Sequence, residues 1–309
     1  MVSPSQIGEF HQTGFLVLDN LLDDADIAPV REELTAEIDR RAEVLVRQGK
    51  LSARYENMNF ETRLARISAE TPELALSIWD GSLSGAVFFD LLRNPKILDL
   101  AESLVGPEII ASSVYRLRPK VPDLRKGDVP WHQDSAYFEP YCDDHLVLTI
   151  WLALVDATQE SGCMWVQPGC HKSRVFRHVQ EKGGSHYLEI AEEERPQVEP
   201  VCVPVRNGGA VLLTNKTPHF SGTNTTNHVR WAMDLRYQDA ALPTNASITR
   251  LPGDIVGDPS KNIPLACYPP EADFLVRSQK RPQEVVATAE EFHRLRTTYK
   301  ALPWVGKRP

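Results

Sequence analysis

The run Trp131-His132-Gln133-Asp134 sets an imidazole and a carboxylate two residues apart. In extended chain, side chains two apart share a face, so His132 and Asp134 project toward one point. A neutral imidazole and a carboxylate so placed suit a divalent metal. Far downstream, Thr217-Pro218-His219-Phe220-Ser221 offers a second imidazole. Two histidines and one carboxylate on one face of an ion leave three positions open, the arrangement of non-haem Fe(II) oxygenases. A histidine in a strand is more often a hydrogen-bonded structural residue than a ligand, and an H-x-D pair recurs by chance. What gives this pair weight is its company.

That company begins with Arg230. Read as a unit, His219 to Arg230 is a strand carrying His219 and Ser221, a polar turn from Gly222 to Asn227, and a return strand starting near Val229. A hairpin of this kind sets Arg230 beside His219. An arginine fork grips a carboxylate through two bonds, and 2-oxoglutarate offers a distal carboxylate a few ångström from the atoms that chelate iron. Ser221, on the face of His219, adds a hydroxyl. Along the return strand, parity keeps Arg230, Ala232, Asp234 and Arg236 inside, with Trp231, Met233, Leu235 and Tyr237 on the opposite face.

The elements that must hold these residues fall into three parts of a single domain: a helical part over 1–108, a strand-rich core over about 109–240, and a loop and helix extension over 241–309. Residues 5–22 read as a short helix and a strand, Phe15 to Leu18. Asp23 and Asp24 cap a longer helix with its apolar stripe at Ile27, Val30, Leu34, Ile38 and Leu45, stopped at Gly49. Residues 50–70 lack a clean period and read as a loop that lies over a site. Phe88 to Leu92 read as helix, and Asn94-Pro95 opens another that ends at Gly106. Strands are expected at 109–118, 145–155, 200–205, 210–214 and 229–238. The run His145 to Val155 is apolar on both faces and belongs in a sheet covered on both sides. Residues 241–287 read as loops, and Thr288 with Glu291 opens a final helix. The expected fold is mainly β with flanking helices, a double-sheet jelly roll with the site between its sheets.

Composition narrows the partners. A net charge of -8 gives no basic face for nucleic acid or anionic membrane. No stretch approaches the ~18 apolar residues of a membrane span, and the start carries no basic region followed by an apolar run, so a cytoplasmic protein is expected. The five cysteines, without C-x-x-C spacing, read as buried or free thiols.

Several motifs in order carry a resemblance. They are Phe10-His11-Gln12-Thr13-Gly14-Phe15, Trp131-His132-Gln133-Asp134, Thr149-Ile150-Trp151-Leu152-Ala153-Leu154, Gly162-Cys163-Met164-Trp165-Val166-Gln167-Pro168-Gly169-Cys170-His171-Lys172, and His219-Phe220-Ser221 with Arg230. Over roughly residues 5–240 the chain resembles the phytanoyl-CoA dioxygenase family of Fe(II)/2-oxoglutarate oxygenases. The resemblance implies metal-ligand and catalytic roles for His132, Asp134 and His219, and a hold on the 2-oxoglutarate distal carboxylate by Arg230 with Ser221. It implies that O2 and 2-oxoglutarate are consumed together, with release of succinate and CO2, usually ending in hydroxylation. Halogenating relatives lack the carboxylate that Asp134 supplies here. Ser161 stands where many members carry Asn, and Cys170 where Ser is common.

For a small-molecule substrate the candidate pocket residues are Tyr55, Met58, Phe60, Tyr115, Arg118, Tyr137, Phe138 and Arg236, on the loop before the core or beside the ligands. Arg116, Arg118 and Arg236 together hint at an acidic substrate. Trp151 and Trp165 read as core. The competing functions are the same iron chemistry used for desaturation or ring closure, a non-catalytic jelly-roll binding module, and a cupin-type isomerase or hydrolase, against which Arg230 speaks.

Overall fold

A computed structural model describes residues 2–79, 83–112, 115–138, 140–180, 187–242 and 273–300. Helix α1 (Pro4–Thr13) starts at a reciprocal cap, in which Ser3 accepts from the Gln6 amide and Gln6 accepts from that of Ser3. It ends at Gly14 with φ +85°, where a Cβ would lie 2.4 Å from His171 and 2.7 Å from Thr217. Strand β1 (Phe15–Leu18) leads to α2 (Asp24–Arg47), capped by Asp23 and burying Ile27, Val30, Leu34, Ile38, Ala42 and Leu45. Then come α3 (Phe60–Glu70), α4 (Glu73–Trp79), α5 (Ala86–Leu92) and α6 (Pro95–Val105). Residues 60–70 are thus helical rather than the expected loop. Asn59 caps α3, and Arg63, Leu64 and Ile67 form its buried face.

The strands are β2 (Ile109–Ser112), β3 (Arg116–Leu117), β4 (Val129–His132), β5 (Leu148–Ala153), β6 (Met164–Val166), β7 (His178–Gln180), β8 (Leu188–Ile190), β9 (Val201–Val203), β10 (Ala210–Thr214), β11 (His219–Ser221), β12 (Ala232–Asp239) and β13 (Asp273–Arg277), before α7 (Ala289–Lys300). β13 lies inside the stretch expected to be loop. It pairs with β2, burying Phe274 and Val276 on alternate positions.

A seven-stranded antiparallel sheet runs β1-β10-β5-β12-β2-β13, with β3 paired to β12. A second sheet runs β4-β11-β6-β9, and β7 and β8 form a separate ribbon. The large sheet is covered on both faces. Leu148, Ile150, Leu152, Leu212, Trp231, Met233, Leu235 and Tyr237 pack with the helices, while Trp151, Ala153, Val211, Leu213 and Ala232 pack with Cys163, Met164, Val166 and Val203 of the second sheet. This is the jelly roll, and the parity expected of β12 holds.

One expected local shape does not. β11 sits in the small sheet between β4 and β6, whereas β12 pairs with β5, β2 and β3 in the large one. Residues 222–229 therefore form an arch between sheets instead of a hairpin within one. Asn224 holds the arch, its side-chain amide donating to the carbonyls of Lys120 (2.8 Å) and His228 (2.7 Å). No helix among the described residues is long and apolar enough to cross a membrane. Cys142, Cys163, Cys170 and Cys202 are free thiols, and Cys267 lies outside the described residues.

Candidate metal centre and co-substrate pocket

His219 of β11 lies directly across from His132 of β4, their ring centroids 4.1 Å apart. β4 ends at His132, but Gln133 stays extended (φ -115°, ψ 137°), which brings Asp134 back to the same face as it opens a turn of 3-10 helix. One ligand atom from each of His132, Asp134 and His219 lies within 4.8 Å of the others, and all three residues are buried. Both imidazoles are oriented by their inner nitrogens. Nδ1 of His132 lies 2.8 Å from the Pro130 carbonyl and Nδ1 of His219 lies 2.9 Å from that of Thr217. A carbonyl only accepts, so each Nδ1 carries a proton and Nε2 is the ring nitrogen left for a metal. Gln133, fully buried, fixes the turn from behind, accepting from the Phe176 amide (2.7 Å) and donating to the Lys216 carbonyl (2.8 Å).

Asp134 is braced from the opposite sheet. Thr149 donates to Oδ2 at 2.6 Å, and Arg236 Nη2 lies 3.2 and 3.3 Å from the two oxygens. Thr149 and Arg236 are register partners on β5 and β12, which is why both reach one carboxylate. Burial pushes the Asp134 carboxyl up, yet Arg236, then His219, His132 and Thr149, outweigh it and hold it below the ordinary range. Burial and the facing His219 push the His132 imidazole well below its usual value. The donor set is therefore two imidazoles, that of His132 held neutral, and an ionised carboxylate, which fits a divalent iron.

The His132 shift has a measurable consequence. An unfolded histidine protonates below about pH 6.5, whereas the folded His132 stays neutral, so its contribution to stability is complete above that value and is lost as pH falls toward the folded pKa. The melting temperature of metal-free protein is expected to drop between about pH 7 and pH 5.5, and to drop less in His132→Asn. Equal slopes would dismiss this linkage.

One strand pleat from His219, Ser221 Oγ donates to the Gly162 carbonyl (3.0 Å) and accepts from Arg230 Nη2 (3.3 Å). Arg230 is 1% exposed, lies 4.9 Å over the Trp151 ring, and leaves Nε and Nη1 without a hydrogen-bond partner. Burial lowers its pKa to about 10, so it is still a cation at neutral pH. A buried guanidinium with unused donors, bonded to a serine two residues along the strand face from His219, is a cradle for a carboxylate. Two residues of strand span about 6.6 Å, the reach of a short dicarboxylate.

The other candidates separate. Tyr137 stands edge-on to His132 at 5.9 Å, and Phe138 lies 5.6 Å beneath the Arg236 guanidinium, so these two are at the site. Arg118 is next to it, donating through Nε to Asp234 at 2.8 Å. Tyr115 is in the helical core, its hydroxyl on the Leu83 carbonyl and its ring stacked on Phe88. Tyr55 bonds Ser52, Glu70 and Arg66 on the surface, Phe60 stacks on Trp231 on the helix side, and Met58 is exposed. None of these four contacts the triad. Arg118 is held by Asp234 and Arg236 by Asp134, so two of the three arginines behind the expectation of an acidic substrate have carboxylate partners within the chain.

Between the sheets of a jelly roll, a site of this kind defines a class of non-haem iron oxygenase. The sequence pattern described as Phytanoyl-CoA dioxygenase (PhyH) matches residues 10–232, and the chain belongs to that family. It is 28% identical over 273 residues to phytanoyl-CoA dioxygenase domain-containing protein 1 of Rattus norvegicus, covering 78% of this chain and 91% of the relative. Against the peroxisomal phytanoyl-CoA dioxygenase of Homo sapiens it is 27% identical over 242 residues, 75% of this chain and 67% of the relative. Among solved structures, the non-heme monooxygenase ThoJ superposes with a TM-score of 0.59 at 19% identity, covering 96% of this chain and 95% of that one. The epimerase SnoN, solved with Fe3+, alpha ketoglutarate and nogalamycin RO, gives 0.52 at 21% identity, covering 82% and 91%. The protein is an Fe/2-oxoglutarate-dependent oxidoreductase, with iron as cofactor and 2-oxoglutarate as co-substrate.

Proposed function

We propose that the enzyme hydroxylates an unactivated C–H bond of a small molecule, with iron held by His132, Asp134 and His219, and the distal carboxylate of 2-oxoglutarate held by Arg230 and Ser221. The observation that carries this is the pairing of three convergent ligand atoms with a buried, incompletely bonded guanidinium that donates to Ser221, one pleat from His219. When bound there, iron and 2-oxoglutarate supply O2 activation coupled to decarboxylation of the co-substrate. The chain's own residues do the rest. Pro130 and Thr217 carbonyls keep both imidazoles in the ligating tautomer, and Arg236 and Thr149 keep Asp134 ionised and aimed. Trp151, Met164 and Val166 help to wall the space between the sheets and exclude water. Tyr137 and Phe138 give the site an aromatic border suited to an organic substrate.

Under anaerobic conditions, adding Fe(II) and then 2-oxoglutarate is expected to produce a weak visible charge-transfer band. Admitting O2 with a panel of acidic and neutral small molecules is expected to yield succinate and a product heavier by one oxygen. A protein without the band is a binding module, and a product lighter by two hydrogens assigns desaturation or ring closure.

A further inference from the structure

Beside the proposed carboxylate cradle sits a second buried basic side chain. Lys120 is 0% exposed, which is rare for a lysine without a carboxylate in hydrogen-bonding distance. Its Nζ donates to the Ser221 carbonyl at 2.9 Å and to that of Gly222. The nearest carboxylate oxygen among the described residues, Oδ1 of Asp128, is 3.9 Å away, beyond hydrogen-bonding distance. The Lys120 backbone pairs with Arg230 in both directions, amide to carbonyl at 2.9 and 3.1 Å. Its carbonyl also accepts from Asn224, the residue that holds the arch between sheets.

The stem runs between two glycines. A Cβ on Gly127 would come within 3.3 Å of Lys120 Cγ, and one on Gly162 within 2.7 Å of Cδ and 3.3 Å of Nζ. Gly162, at φ +77°, is the residue whose carbonyl receives the Ser221 hydroxyl. Through its side chain and backbone together, one residue therefore touches every segment that builds the cradle: the end of β11, the arch, the bridge to Arg230 and the Gly162 turn. A buried ammonium would be a costly way to tie strands together if tying were its only use. Burial and the nearby Arg230 charge hold its pKa well below the ordinary lysine value, and a carboxylate arriving in the cradle favours its charged form.

We infer that Lys120 is the positioning residue of the co-substrate pocket, locking Ser221 and Arg230 in register for the distal carboxylate of 2-oxoglutarate. This rests on the reading of Arg230 and Ser221 as the carboxylate cradle. Pyruvate has the same 2-oxo-acid head and no distal carboxylate, so it separates that end of the pocket from the metal end.

The test is anaerobic titration of the Fe(II)-loaded full chain with 2-oxoglutarate and with pyruvate, followed by the visible band, in the native protein, Lys120→Met, Lys120→Gln and Arg230→Met. The native protein is expected to prefer 2-oxoglutarate, and both Lys120 variants to lose on the order of tenfold of that preference with pyruvate binding retained. A preference unchanged in both Lys120 variants, or an equal loss for both ligands, overturns the inference. A preference that survives Arg230→Met instead removes the cradle reading beneath it. Should Lys120→Met not fold, Lys120→Gln decides. In the unmutated protein, amide exchange over 118–122 and 219–223 is expected to slow more with 2-oxoglutarate than with pyruvate, and equal slowing counts against Lys120.

Discussion

Replacing Arg230 with Met is expected to weaken 2-oxoglutarate binding by about 3 kcal/mol, roughly two orders of magnitude, without destabilising the metal-free protein. The two halves of that expectation have one cause. In the free protein Arg230 is a charge 1% exposed, with Nε and Nη1 unbonded and its pKa lowered to about 10 by burial. A buried charge with unbonded donors carries a desolvation cost, so an apolar side chain of similar length is expected to be tolerated in its place. Once a carboxylate arrives, the same guanidinium makes charge-assisted bonds in a water-poor site, and its loss is felt in full. Thermal shift reads both quantities. The melting temperature without ligands should be no lower than that of the native protein, while the rise on adding 2-oxoglutarate to the Fe(II)-loaded protein should shrink sharply. A large fall without ligands and a preserved rise with them would make Arg230 a structural residue.

How much of this was legible in the sequence depends on the range of the contact. His132 and Asp134 are two apart in extended chain, so local geometry alone set them on one face. The inward parity of Arg230, Ala232, Asp234 and Arg236 was legible for the same reason. Their partners were not, because those depend on how the sheets close. Arg236 meets Asp134 because it is level with Thr149 across β12 and β5, and that register arises only when residues far apart in sequence pair. The polar run Gly222 to Asn227 has the composition of a hairpin turn. It became an arch because Asn224 and Lys120 draw its ends to different sheets, which no local signal distinguishes. Tyr55, Met58, Phe60 and Tyr115 were chosen for nearness along the chain, and the fold spent them on the helical layer. Lys120, and the role of Thr149 within its motif, were not legible because a lone lysine or threonine at a strand end has no periodic signature. The helix at 60–70 was hidden by its short, charge-mixed stripe, although Asn59 before Phe60 is a legible cap.

Asp134→Asn is expected to reduce turnover below detection and Fe(II) affinity by at least about 100-fold, and, unlike Arg230→Met, to destabilise the metal-free protein by about 3–5 kcal/mol. The carboxylate is the anion shared by the metal position, Thr149 and Arg236. With Asn in its place, the Arg236 cation keeps its burial and loses its carboxylate. The sign with pH follows from the direction of the shift. Asp134 titrates lower in the fold than in the unfolded chain, so its contribution to stability is present above the unfolded value of about 3.9 and is lost as pH falls through the folded one. Denaturation curves of native and Asp134→Asn proteins should therefore lie far apart at neutral pH and converge on acidification below about pH 4. Combining the change with Arg236→Met should restore part of the stability, since the cation that faced Asp134 is gone, while Fe(II) binding and succinate formation stay lost. If the double variant regains metal binding, Asp134 serves the fold and not the iron. If the single variant keeps native stability, Arg236 is not the brace of the triad.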